Sequence, residues 1–251
     1  MTRSRRFVPL AALAFGLLPG MAFPSLAFAD AGFTPDQRQE IIAIVRQALK
    51  DDPSILRDAV LSMRAQQARQ EETTQKSLIA SHAGAVTDAR GDGLAGNPAG
   101  NVTLTEFYDP RCPYCQRMVP VINQLVASDP KLRVVFKLIP ILGPQSVLES
   151  RAIAAAGQQG AYVPMQEAVM RESAPVTMDK IEATARSLKL DPARLARDMN
   201  DPAITAHLND NVALAKALHI DGTPAIVIGD DMISGAVDLG DLQKAVTAAR
   251  S

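Results

Sequence analysis

The chain has 251 residues, 47% of them hydrophobic, with 26 basic against 27 acidic side chains and a formal net charge of −1. That is enough apolar material for the core of one medium domain, or a domain with an extension, and it excludes a disordered chain. A balance this close to neutral offers no concentrated basic face, so nucleic acid is excluded as a partner.

The chain opens on Arg3, Arg5 and Arg6, continues through an apolar stretch from Phe7 to Phe23, and reaches Ala27-Phe28-Ala29 before Asp30. A basic end, a short apolar stretch and small residues at a cleavage point are the layout of a secretory signal over residues 1–29. A membrane anchor is the rival reading, but Pro9, Gly16, Pro19 and Gly20 interrupt the run short of the roughly 20 apolar residues that a bilayer core requires. The pair Arg5-Arg6 hints at twin-arginine export, yet Phe7-Val8-Pro9 sits one place out of step with that pattern, which favours the general secretory route. Cleavage near Ala29 would leave a periplasmic chain with 23 basic against 27 acidic residues, or −4. No later segment is apolar enough to span a membrane.

Residues 30–95 read as a helical extension. Thr34-Pro35-Asp36-Gln37 combines a hydroxyl cap, a proline at the first helical position and a glutamine placed to close a capping box. Ile41, Ile42, Val45, Ala48 and Leu49 then share one face, and Asp52-Pro53 breaks the run. Ile55, Leu56, Ala59, Val60 and Met63 form a second stripe, followed by the polar stretch Gln66 to Glu72, which would be solvent-exposed, bridge two bodies or fray. From Gly84 to Gly100 the chain is rich in Gly, Asp, Asn and Ala and reads as a loop or linker. The two stripes are too narrow to make a core alone. They pack either on the main domain or against the same stripes in other subunits, and both readings stay open.

From about residue 96 to 251 the pattern is alternating strand and helix. Val102 to Phe107 suits a buried strand, a helix is predicted from about Cys112 to Ser128, and Leu132 to Leu138 reads as the next strand, giving a βαβ unit. Helical periodicity then dominates over about 147–218, with breaks near Gly160, Ser173 to Val176, Asp191-Pro192 and Asp201-Pro202. Ala225 to Ile228 and Met232 to Ser234 read as two short strands, and a closing helix is predicted from about Asp238 to Ala249.

The two cysteines of the chain stand three apart, as Cys112-Pro113-Tyr114-Cys115, at the predicted strand-to-helix turn. A structural disulfide closing so small a loop would remove little unfolded-chain entropy. A thiol at a helix N-terminus, by contrast, meets unpaired backbone N–H groups and the positive end of the helix dipole, which favour the thiolate. Cys112 is therefore the candidate nucleophile that forms a mixed disulfide, and Cys115 the thiol that resolves it. The dipeptide Pro113-Tyr114 modulates the thiolate, with a sign that residue names do not reveal. Zinc would need two more ligands; His207 and His219 share no obvious helix face and His82 lies far off, so all three read as ordinary histidines and no metal site is assigned. The nine methionines show no clustered pattern and read as core filler.

Phe107-Tyr108-Asp109-Pro110-Arg111-Cys112-Pro113-Tyr114-Cys115, together with Gly222-Thr223-Pro224, resembles the DsbA-like branch of the thioredoxin superfamily over about residues 97–251. The resemblance implies an α/β thioredoxin fold with a helical block inserted after the first βαβ unit, here preceded by the helical extension. It implies that Pro224 is a cis-proline facing the cysteines and that Thr223 offers backbone contacts to a bound peptide; a trans proline in a turn is the alternative. Pro113, Tyr114, Thr223 and Pro224 are thus the candidate substrate-binding residues. It also makes Glu106 a buried acid that moves a proton to or from Cys115, unless its side chain points outward into solvent.

An amphipathic extension before a Cys-Pro-Tyr-Cys domain is similar to the suppressor-of-copper-sensitivity protein C and Com1-like group. That similarity implies a homo-oligomeric disulfide isomerase or reductase, kept reduced by a membrane partner and acting on cysteine-containing exported proteins. The alternatives are a monomeric dithiol oxidase and a copper-handling thiol protein, since thiolates are good Cu(I) ligands. Beyond the redox-active pair no cofactor is implied.

Overall fold

The computed structural model describes residues 32–172 and 174–250. The export signal expected over residues 1–29 lies outside the described residues. The chain divides into two compact units between Leu61 and Ser62.

The first unit holds helix α1 (Pro35–Asp51) and the start of α2 (Ser54–Ser81). Thr34 Oγ1 accepts from the Gln37 N–H at 3.3 Å and Gln37 Oε1 accepts from the Thr34 N–H at 2.9 Å, closing the capping box that starts α1. Between the helices the Asp52 carboxylate accepts from the Ser54 N–H at 2.9 Å, so one residue ends a helix and caps the next. No residue of α1 is buried, and Ile41, Ile42, Ile44, Val45 and Leu49 are all exposed. The polar stretch from Gln66 to Glu72 does not interrupt α2, whose one buried residue, Ile79, comes near its end.

The second unit is built on a five-stranded sheet of order β1-β3-β2-β4-β5. The strands are β1 (Gly93–Gly96), β2 (Val102–Tyr108), β3 (Leu132–Leu138), β4 (Ala225–Ile228) and β5 (Asp231–Ser234). β2 and β3 run parallel, joined through α4 (Pro113–Ser128), and the other pairings are antiparallel. Between β3 and β4 comes the helical block: α5 (Pro144–Gly157), α6 (Tyr162–Met170), α7 (Met178–Ser187), α8 (Pro192–Asp198) and α9 (Pro202–Ala217). Helix α10 (Leu239–Ala248) closes the unit. Asp191 and Asp201 each accept from backbone N–H groups of the turn that follows, with proline in the first helical position, so both Asp-Pro breaks are helix starts. This is the α/β arrangement with a helical insertion that the resemblance implies.

The inner strands β2 and β3 are covered on both faces and buried along nearly their whole length, polar Thr105, Glu106 and Lys137 included. One core joins Leu104 and Tyr108 of β2 to Met118, Ile122 and Leu125 of α4 and to the helical block. A second joins Phe107 of β2 and Val227 of β4 to Leu218, Ile79 of α2 and Val86 of the short helix α3 (Ala83–Thr87).

Residues 84–100 are not a linker: they contain most of α3 and the whole of edge strand β1. Their glycines misled the sequence reading because one of them serves packing. A Cβ at Gly93 would collide with the Tyr162 ring, which covers β1, so the strand needs a residue without a side chain there.

Candidate functional site

The site forms where β2 ends and α4 begins. Cys112 is the N-cap residue of α4 with extended backbone, and Pro113 occupies the first helical position with φ preset by its ring. No side chain caps this helix start, which leaves its first N–H groups without a side-chain acceptor. Both cysteines are free thiols; Cys112 is 5% exposed and Cys115 is fully buried one turn below. The Cys112 thiol donates to the Thr223 carbonyl at 3.2 Å, across 111 positions of sequence. The Thr223–Pro224 peptide bond is cis and leads directly into β4.

Glu106 lies in the middle of β2, paired to Phe136 on one side and Ile226 on the other, and is 2% exposed. Its side chain points inward, and one carboxyl oxygen has no hydrogen-bond partner. Burial in this apolar setting lifts its pKa from 4.5 to about 8. Burial also pushes the Cys115 thiol far above the ordinary range, and the nearby Glu106 charge adds to that shift. A carboxyl that titrates near neutral pH thus sits beside a thiol that gives up its proton reluctantly.

Tyr114 is 53% exposed, and the Arg117 guanidinium lies 4.4 Å from its ring centroid, a cation–π contact that holds the ring at the mouth of the site. Pro113 is exposed beside it, Thr223 is half-buried and Pro224 is buried. The structure therefore brings Cys112, Cys115, Glu106, Pro113, Tyr114, Thr223 and Pro224 to one end of the sheet. Ile141 and Leu142, in the loop after β3, add exposed apolar surface, and that loop is tied to the same turn because the Ile139 N–H donates to the Tyr108 carbonyl at 2.9 Å.

The sequence reading assigned no role to Asp109, which is fully buried three residues before Cys112. It assigned none to Arg111 either, whose guanidinium lies 3.7 Å from the buried Glu149 carboxylate of α5 and donates to the Ala174 carbonyl at 3.3 Å. An acid in front of Pro110 was the available signal for Asp109; its partners, more than 30 residues ahead, leave no local trace. His207 is half-buried and has a structural partner: its Nε2 lies 2.7 Å from the buried Asp92 carboxylate, which also accepts from Lys137 and Asn211. Among the described residues no group of three or more His, Cys, Asp or Glu is arranged to hold a metal ion.

The family profile of a DSBA-like thioredoxin domain matches residues 103–247. A thioredoxin-like oxidoreductase from Silicibacter pomeroyi DSS-3 is 41% identical, with a TM-score of 0.61, the match covering 64% of this chain and 92% of that one. A linker-deletion variant of ScsC from Proteus mirabilis is 26% identical, with a TM-score of 0.63, covering 88% of this chain and 98% of that one. The second match runs well beyond the profile, into the N-terminal part. Among curated proteins, a Na⁺/H⁺ antiporter, NhaA 1, of Salinispora arenicola is 26% identical over 160 residues, 63% of this chain. The chain spans only 24% of that antiporter's length. Among the described residues no helix is long and apolar enough to cross a membrane.

Proposed function

Because the chain belongs to the family of DSBA-like thioredoxin domains, we propose that it is an exported thiol–disulfide oxidoreductase whose chemistry runs through Cys112 and Cys115. The observation that carries this reading is the stacked pair itself: one thiol at an uncapped helix start against the Thr223 carbonyl, the other buried beneath it beside Glu106.

The Cys112 thiolate attacks one sulfur of a substrate disulfide. That S–S bond breaks, the other substrate sulfur leaves as a thiolate, and a mixed disulfide forms. Glu106 accepts the Cys115 proton as the Cys115 sulfur attacks Cys112; the second substrate thiol leaves and the protein holds the Cys112–Cys115 disulfide. Read backwards, the same steps oxidise a substrate dithiol. If a second thiol of the substrate attacks the mixed disulfide instead, the substrate disulfide is reshuffled and the pair returns to its dithiol form.

Isomerase or reductase activity is favoured over oxidase by the exposed apolar stripes Ile41, Ile42, Val45 and Leu49 in α1 and Ile55, Leu56 and Val60 in α2. Apolar faces of this kind are suited to self-association, and an assembly would present several pairs to one bound chain at high effective concentration. The reduced state needed for that work would come from a membrane redox partner, and the residue 1–29 pattern supports export.

Cys112→Ser should abolish reduction of a disulfide-bonded protein and reactivation of a scrambled one. Cys115→Ser should instead accumulate the mixed disulfide. Activity surviving in Cys112→Ser would refute the assignment, and oxidation of dithiols outpacing reshuffling would reverse the preferred direction.

A further inference from the structure

Asp109 has no part in the electron exchange, yet it is the most heavily bonded side chain around the pair. Its Oδ1 accepts from the Arg111 N–H at 2.8 Å and from the Ser146 hydroxyl of α5 at 2.8 Å. Its Oδ2 accepts from the Ile141 N–H at 2.8 Å and the Leu142 N–H at 3.0 Å. Asp109 and Ser146 are both fully buried. A buried carboxylate with four donors around it is held in one orientation, because turning it would break several charge-assisted bonds at once and strand the buried Ser146 hydroxyl.

The main chain of the same residue meets Cys112. The Asp109 carbonyl accepts from the Cys112 N–H at 3.0 Å, and the Cys112 carbonyl in turn accepts from the Gln116 N–H at 3.0 Å in the first turn of α4. One residue is therefore anchored through its side chain to the loop after β3 and to α5, and through its backbone to the residue that starts α4 and carries the outer thiol.

We infer that Asp109 is a positioning residue that holds the Cys112 turn so that the Cys112 sulfur stays in line with Cys115 for the resolving step. The inference rests on the proposed disulfide chemistry of this pair and adds the residue that sets its geometry. Attack on Cys112 by Cys115 requires the two sulfurs and the departing sulfur to be nearly in line, and a misplacement of about 1 Å at a reacting atom can cost up to about 100-fold in rate. Attack by Cys112 on an outside disulfide is less demanding, because the partner can adjust its approach. Loss of the Asp109 anchor should thus separate the two steps.

The test uses Asp109→Asn, whose amide nitrogen cannot accept and leaves two of the four donors unpaired, and Ser146→Ala, which removes one donor and spares the rest. Reduced full-length protein is mixed with oxidised glutathione, quenched in acid at intervals, and the fractions of dithiol, glutathione mixed disulfide and Cys112–Cys115 disulfide are read by mass spectrometry. In Asp109→Asn, formation of the mixed disulfide should stay within about threefold of the parent while its resolution slows about tenfold or more. The mixed disulfide should then accumulate, to a smaller extent in Ser146→Ala.

Resolution at the parental rate in both variants would overturn the inference, as would an equal slowing of both steps, which marks general loosening of the fold. Should Asp109→Asn fail to fold, Ser146→Ala alone decides on the same two rates. A parent protein that forms no mixed disulfide at Cys112 would instead refute the proposed function, an outcome distinct from parental kinetics in the variants.

Discussion

Glu106 shows how one side chain links fold, stability and chemistry. The folded state holds its proton up to about pH 8, whereas an exposed glutamate releases it near 4.5. Between those values the unfolded chain ionises first, so stability contributed at low pH is lost as pH rises, by on the order of 1 kcal/mol per unit, and the loss levels off above about 8. Glu106→Gln should remove this dependence: its denaturant midpoint should gain on the parent steadily from pH 5 to 8 and run parallel above that. Parallel midpoints throughout would mean that the carboxyl is hydrated and not desolvated. At this scale the cysteine pair was legible because its meaning lies in adjacent residues, Cys112 to Cys115 at a helix start. Asp109 was not, because its role comes from Ile141, Leu142 and Ser146, which only folding brings to it.

Elements that alternate in an ordinary way were readable in order: β2, α4, β3, the helical block, β4, β5 and α10 all fall close to their expected positions. The Asp-Pro pairs were legible as breaks because capping and proline geometry act within one turn. Strand β1 was not, because the glycine in it is required by the Tyr162 ring from α6. Just before β1, Asp92 joins three parts of the unit: the Lys137 ammonium of β3 donates to it at 2.6 Å, and Asn211 of α9 donates at 2.8 Å with His207 at 2.7 Å. Lys137 is 3% exposed, and this carboxylate is its counter-ion. Asp92→Asn should therefore cost about 3 kcal/mol of unfolding free energy by leaving a buried ammonium without its counter-ion. Urea unfolding measures this, and a loss under about 1 kcal/mol would show that water reaches Lys137.

For the whole molecule, the division between Leu61 and Ser62 falls well ahead of residue 95, where the helical extension was expected to end. Ile79 and Val86 are 1% and 2% exposed and belong to the core around Phe107 and Leu218. A form beginning at Ser62 should keep the second unit's resistance to urea, whereas one beginning at Ala95 should lose at least about 4 kcal/mol with those two side chains. Light scattering of the full chain and the Ser62 form then tests assembly through the exposed stripes. An oligomer that becomes monomeric on truncation supports the isomerase reading, and a monomer in both forms favours a simple dithiol oxidase or reductase. By itself the sequence determined the order of the elements, the place of the cysteine pair at a helix start and the amphipathic character of the extension, because caps, periodicity and the Cys-Pro-Tyr-Cys spacing act over a few residues. Only the tertiary structure decided that the glycine-rich segment is part of the sheet, that Thr223 meets Cys112 and that the Asp109 carboxylate is bonded to Ile141, Leu142 and Ser146, because burial and hydrogen bonding across 30 to 111 positions exist only once the chain has folded.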